Sequence, residues 1–183
     1  MCIRDSEYQL YPVGPLVLGG MVLHSFDQAK AVFNFYSKFS SDIPDELTTA
    51  CGFLTSPAGQ PAVAMVACYN GPLEAGEEVL RPLREFGPPL EDHLQPMPYT
   101  QIQQMFDEAW GIGRQYYVKA PWVKEISGDA IDILIAHYAK VTSPLSVALF
   151  VQKSGAMSRG PHDKTAFGHR DARYGLLLSL IHI

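Results

Sequence analysis

The sequence predicts an α+β domain, an antiparallel sheet with flanking helices that opens on a ferredoxin-like β-α-β-β-α-β run. Three observations carry that prediction. A strand-like apolar segment at 16–23 precedes a helix-spaced stripe, two β-favouring runs at 46–54 and 62–69 flank a turn, and a second helix-spaced stripe at 73–86 leads to a short β-favouring stretch at 90–94. With 183 residues, 47% of them hydrophobic and 18% charged, the chain is long enough for one well-buried core and too short for two.

Each element has a local reason. Residues 16–23 are apolar and contain Gly19-Gly20, which suits a strand whose backbone bends or lies close to another group. Ser25 and Gln28 form a capping-box pattern ahead of Ala29, Val32, Phe33, Tyr36 and Phe39, whose spacing predicts an amphipathic helix. The runs at 46–54 and 62–69 are joined by Ser56-Pro57-Ala58-Gly59-Gln60 and read as a hairpin; both strands are apolar on both faces, which places them centrally in the sheet. Leu73, Val79, Leu80, Leu83 and Phe86 give the second helix, which ends at Gly87-Pro88-Pro89 and should kink or lose a hydrogen bond at Pro82. Further on come a helix through Tyr99, Ile102, Met105, Phe106 and Ala109, a strand at 115–120, a helix at 129–139 and a strand at 145–152. The polar stretch at 155–173 is too long for a tight turn.

Composition narrows the function classes. A net charge of -5 leaves no clustered Lys and Arg for nucleic acid or an anionic membrane. No apolar run approaches the roughly 20 residues of a membrane span, and MCIRDSEYQL lacks the core of a signal peptide, so the chain reads as cytoplasmic. Cys2, Cys51 and Cys68 show no CxxC spacing; Cys51 and Cys68 read as reduced, buried thiols, with approach across the hairpin as the alternative. MCIRDS and SLIHI match no periodic element beside them and resemble translated adapter sequence. Residues 1–6 and 179–183 are therefore expected to be non-native tails, in which Cys2 and His182 carry no biology.

No Walker loop, GxGxxG, HExxH, GxSxG or EF-hand pattern occurs. In the strand at 115–120, Tyr117 and Lys119 share one face, with Tyr116, Val118 and Ala120 on the other. Such a Lys either acts as acid, base or anion holder, or stands at a sheet edge with its amine in water; the residues leave both readings open. In AFGHRDARY at 166–174, His169 and Arg170 diverge, so one faces inward while the other pairs with Asp171 or Asp163. The segment is either a charged loop docked through Phe167 and Tyr174, or one in which His169 or Tyr174 hydrogen-bonds a ligand or cofactor at the sheet rim. His24, His93 and His137 read as surface or capping residues, and no spacing supports a metal site. Trp110 and Trp122 read as packing residues, with an apolar pocket as the alternative.

The stretches VLGGMVLHSFDQA, SDIPDELTTACGFLTSPAGQPAVAMVACYNGPLEAGEEVLRPLREFGPPLEDHLQPMPYTQIQQMFD, RQYYVKAPWVKEIS and AFGHRDARY span residues 14 to 175 in family order. Together they resemble the C-terminal part of bacterial FAD-linked oxidases, the berberine-bridge-enzyme-like branch of the vanillyl-alcohol-oxidase superfamily. The resemblance implies a substrate (cap) domain at 14–178 that covers the flavin ring of an FAD held mainly by a domain with no counterpart in this chain. It implies Lys119 and Tyr117 as catalytic residues, and His169, Arg170 and Tyr174 beside the cofactor. The implied partners are a small-molecule substrate and the FAD-binding domain of the same polypeptide. The implied reaction is hydride transfer from substrate to flavin, with the chain inactive by itself. The sequence departs at Gly175, where the family tends to have Asn. The alternative is a stand-alone ferredoxin-like ligand-binding or oligomerisation domain. An exposed apolar face favours the first reading and a fully polar surface the second.

Overall fold

The computed structural model describes residues 7, 9–56, 58–111, 113–163 and 165–181. The expected tail at 1–6 with Cys2, the turn residue Pro57, Lys164 of the polar stretch, and His182 lie outside them. In chain order the elements are β1 (Val17–Ser25), α1 (Ala29–Phe39), β2 (Leu47–Thr55), β3 (Pro61–Tyr69), α2 (Leu73–Glu85), β4 (Glu91–Asp92), β5 (Gln95–Met97), α3 (Tyr99–Gln104), β6 (Tyr116–Lys119), β7 (Trp122–Val123), α4 (Gly128–Tyr138), β8 (Val147–Gln152) and β9 (Tyr174–Ile181).

The strands form one antiparallel sheet in the order β4-β1-β3-β2-β8-β9-β6, with β5 added to β1 and β7 to β9. The predicted β-α-β-β-α-β run is its first half, and the hairpin β2-β3 is central because both of its faces are apolar. Ser179 is buried and Ser179 to Ile181 pair with β6, so the segment expected to be foreign begins inside a strand.

Directly paired residues share a face. Leu18, Val22, Val63, Met65, Phe53 and Phe150 point to one side, where Val32, Phe33 and Tyr36 of α1, Leu80 and Leu83 of α2, and Ile131 and Tyr138 of α4 close over them. Phe53 is the hub: its ring lies 5.1 Å from Phe33, 5.2 Å from Phe26 and 4.7 Å from Tyr138. On the other side Leu23, Ala62 and Ala64, with Met21 and Leu54 against them, form a smaller apolar cluster that no helix of the layer covers.

Several local expectations are corrected. Ser25 makes no side-chain cap; Phe26–Gln28 instead forms a single 3-10 turn that feeds α1. The helix α3 stops at Gln104, with 105–110 in turns, short of the helix expected through Ala109. Cys51 and Cys68 are both free, in line with the reading as reduced thiols; they lie one on each face of the sheet, so the alternative of approach across the hairpin does not hold. His24, read as a surface or capping residue, is fully buried beneath α2 with its ring 5.8 Å from Phe86. Burial lowers its pKa; Gln28 opposes the shift, yet neither ring nitrogen completes a hydrogen bond among the described residues.

Removing the hub ring in Phe53→Ala is expected to cost about 3–5 kcal/mol, read as a fall in urea midpoint at unchanged slope. For His24 the unfolded chain binds the proton more tightly than the folded one. Its contribution is therefore complete above the unfolded pKa of about 6.5 and is lost as pH falls from there through the lowered folded pKa. His24→Leu should flatten the decline in urea midpoint between about pH 7 and pH 5. An unchanged acid slope would remove His24 as its source.

Candidate functional site

The helix layer covers one face of the sheet, and the strands were apolar on both. The uncovered face holds a cleft of about 700 Å³ whose floor is Met21, Leu23, Leu54, Leu149 and Leu177. Met105, Phe106 and Trp110, from the turns after α3, form its rim. The polar lining includes Glu91, His93, Glu108, Thr55 and Ser56, and neither Lys nor Arg. Trp110 is fixed by stacking on Tyr116 at 5.9 Å, and the Tyr116 hydroxyl donates to the carbonyl of Gly111 at 2.9 Å. An apolar concavity with few convergent polar groups is the form that small-molecule sites take.

The sequence-predicted residues fall elsewhere. Lys119 pairs with Leu178, Leu178 with Ala148, and Ala148 with Phe53, so Lys119 and Tyr117 point to the face that carries the helices. They sit on the edge strand beyond the helix layer, with Tyr117 55% exposed and the Lys119 ammonium 5.5 Å from the Tyr117 ring. The geometry is that of a Lys at a sheet edge, and the register turns Tyr116 and Val118 toward the cleft side instead.

Tyr174, expected beside a cofactor, is 2% exposed in the helix-side core with its ring near Tyr36 and Phe150. Ser40 Oγ donates to the Tyr36 carbonyl at 2.7 Å, so in its 2.7 Å contact with Ser40 the Tyr174 hydroxyl is the donor. That hydroxyl ties β9 to the end of α1.

His169 and Arg170 diverge as expected. Arg170 is turned into its own loop, donating to the Met157 carbonyl at 3.0 Å and to Thr165 Oγ1 at 2.6 Å, with its guanidinium over Phe167. His169 is exposed and stacks on Trp122 at 5.9 Å. Asp171 pairs with neither; it meets Lys124 at 2.9 Å, and that ammonium holds its carboxyl below the usual range.

Sequence reading missed the residue that organises this loop. Lys153, 6% exposed, donates from Nζ to the His169 carbonyl and lies 4.8 Å from the Trp122 ring and 4.5 Å from that of Phe167. Burial lowers its pKa. A Cβ at Gly175 would stand 3.1 Å from the Trp122 ring, so glycine here leaves room for the indole over β9. A second tie runs from Arg159 to both Asp45 oxygens.

Among the described residues, no group of three His, Cys, Asp or Glu side chains converges as a metal site, and no helix is long and apolar enough to cross a membrane.

No family model matches the chain. It is similar to a curated FAD-linked oxidoreductase of Dictyostelium discoideum, 29% identical over 98% of this chain and 39% of that protein. In fold it is similar to 6-hydroxy-D-nicotine oxidase of Arthrobacter nicotinovorans, with a TM-score of 0.74 at 17% identity over 93% of this chain and 39% of that one. It is also similar to a berberine-bridge-enzyme-like protein of Arabidopsis thaliana, with a TM-score of 0.72 at 17% identity over 91% of this chain and 37% of that one. The sequence resemblance to FAD-linked oxidoreductases therefore stands, the sheet with its flanking helices is similar in fold to that part of the berberine-bridge-enzyme-like proteins, and the chain spans about two-fifths of the curated relative's length.

Lys153→Met keeps the volume and removes the donor to the His169 carbonyl. It is expected to speed limited proteolysis within 155–173 by about tenfold while leaving the urea midpoint nearly in place, because the loop opens locally. Equal cleavage rates would show that the loop is held by other contacts.

Proposed function

We propose that this chain is the substrate-facing wall of an FAD-dependent oxidoreductase, with its open sheet face over the flavin ring and the remainder of FAD held by a domain outside this sequence. One observation carries the reading: among the described residues, the uncovered apolar cleft has no Lys or Arg in its lining. Such a surface suits a flat, largely apolar ring and a small substrate, and offers nothing to a diphosphate. FAD thus fits here by its ring end alone, which agrees with the share of the relative that this chain spans.

When bound, the flavin would supply the acceptor for a hydride leaving the substrate. This chain would supply orientation and a dry surface. Leu23, Leu54, Leu149 and Leu177 exclude water, and Trp110 closes the rim. Tyr117 and Lys119 share the helix-bearing face, so proton handling falls to polar groups that line the cleft. A stand-alone binding module with a polar surface is disfavoured by the leucines and methionines left open on this face.

The reading is tested by titrating the chain with FAD and with lumiflavin, the ring without ribityl and diphosphate, while following flavin fluorescence. The two are expected to bind weakly and within about threefold of each other, and FAD should not survive gel filtration. Binding of FAD more than about tenfold tighter than lumiflavin, with a stable yellow complex, would place the diphosphate on this chain and overturn the division. Binding of neither would remove the flavin from this face.

A further inference from the structure

One titratable pair faces the cleft and has no part in the fold's core. The segment at 90–94 is laid along β1 by backbone bonds from Leu90 N to the Leu23 carbonyl at 2.7 Å and from His93 N to the Met21 carbonyl at 2.9 Å. Between them Glu91 pairs with Leu23, which directs its side chain to the open face. The close approach depends on Gly20: with φ +138° it bends β1, and a Cβ there would lie 2.1 Å from the His93 carbonyl oxygen. The position of the pair is therefore built into the strand.

Glu91 Oε2 meets His93 Nε2 at 2.6 Å, with the side chains 43% and 56% exposed at the edge of the apolar floor. The neighbouring charges are already engaged. Arg84 donates to Asp92 and to the Leu94 carbonyl, each at 2.7 Å, and Asp92 also accepts from Leu94 N at 2.9 Å. An ionised carboxylate can only accept, so the proton of the neutral imidazole sits on Nε2 and the lone pair on Nδ1. Nδ1 has no hydrogen-bond partner among the described residues. A carboxylate that fixes the tautomer of an imidazole whose other nitrogen is bare is the arrangement of an oriented base.

We propose that His93, oriented by Glu91, accepts the hydrogen bond, and in turnover the proton, of a small apolar molecule that carries one hydroxyl or amine N–H and lies in the open-face cleft. The turnover step rests on the flavin reading above. With a flavin over this face to take the hydride from the substrate C–H bond, His93 Nδ1 would accept the O–H or N–H proton as the C=O or C=N bond forms, and Glu91 would balance the resulting imidazolium. Glu91 is the positioning residue and His93 the one that touches the ligand.

The test uses the 183-residue chain with Trp122→Phe, which leaves Trp110, at the cleft rim, as its one tryptophan. Quenching of Trp110 is titrated with phenol and with anisole, which has the same ring and no O–H. Phenol is expected to bind about tenfold more tightly than anisole, the worth of one hydrogen bond to a partly desolvated acceptor. His93→Phe should abolish the preference while both ligands still quench. Glu91→Gln can donate to Nε2 and shift the proton to Nδ1, so it should reduce the preference without removing either side chain from the cleft. Equal binding of phenol and anisole to the parent, or a preference that survives His93→Phe, overturns the role of His93 and leaves the cleft as a ligand site. No quenching by either compound overturns the cleft reading, and this proposal with it.

Discussion

The residues that alternate along β2 and β3 are apolar in both directions, yet α1, α2 and α4 cover only one of the two faces. On the covered side Phe53, Phe33, Phe150 and Tyr138 interlock, each fully buried ring contributing about 1.5–3 kcal/mol relative to exposure. On the other side the sheet presents Met21, Leu23, Leu54, Leu149 and Leu177 to a cleft. A polar outer face would have let this sheet end at water. Its absence makes the uncovered face the feature around which the remaining side chains are disposed.

That disposition is visible at the two ends of the face. At the β4 edge, Gly20 bends β1 so that Glu91 and His93 reach the rim, while Asp92 turns the other way and is taken up by Arg84. At the β7 end, Gly175 gives Trp122 its place over β9, and Lys153 is held against Trp122 and Phe167 by the His169 carbonyl. A Cβ would collide with the His93 carbonyl at the first position and would crowd the indole at the second. The apolar floor between them is free of ammonium and guanidinium groups.

What the sequence made legible was whatever depends on neighbours along the chain. The β-α-β-β-α-β run, the hairpin and the central place of β2 and β3 follow from spacing and turn residues, and they recur in the sheet order. What depends on distant partners was not legible. The side to which Tyr117 and Lys119 point is set by their register on β9, and the fate of the Tyr174 hydroxyl is set by Ser40, 134 residues away. Ser25 resembled a cap, but the chain tightened into a 3-10 turn before α1 began. Lys153 stands just past the strand read at 145–152, and its cage of Trp122 and Phe167 comes from distant segments, so it had no local signal.

His93 illustrates the same limit from the functional side. As an isolated histidine in sequence it resembled His137, which stays exposed at the end of α4, and His24, which is buried against Phe86. Three histidines with similar sequence surroundings thus take three physical roles, and the difference lies in which face of which strand each one meets. His24 is buried where charge is costly, and that burial lowers its pKa against the opposing effect of Gln28. His93 meets a carboxylate at the mouth of an apolar cleft, where an imidazole can take up a proton and keep its charge balanced. An apolar face alone binds without directing chemistry; a fixed acceptor at its edge gives a bound molecule an orientation, and the edge of β1 is where this fold provides one.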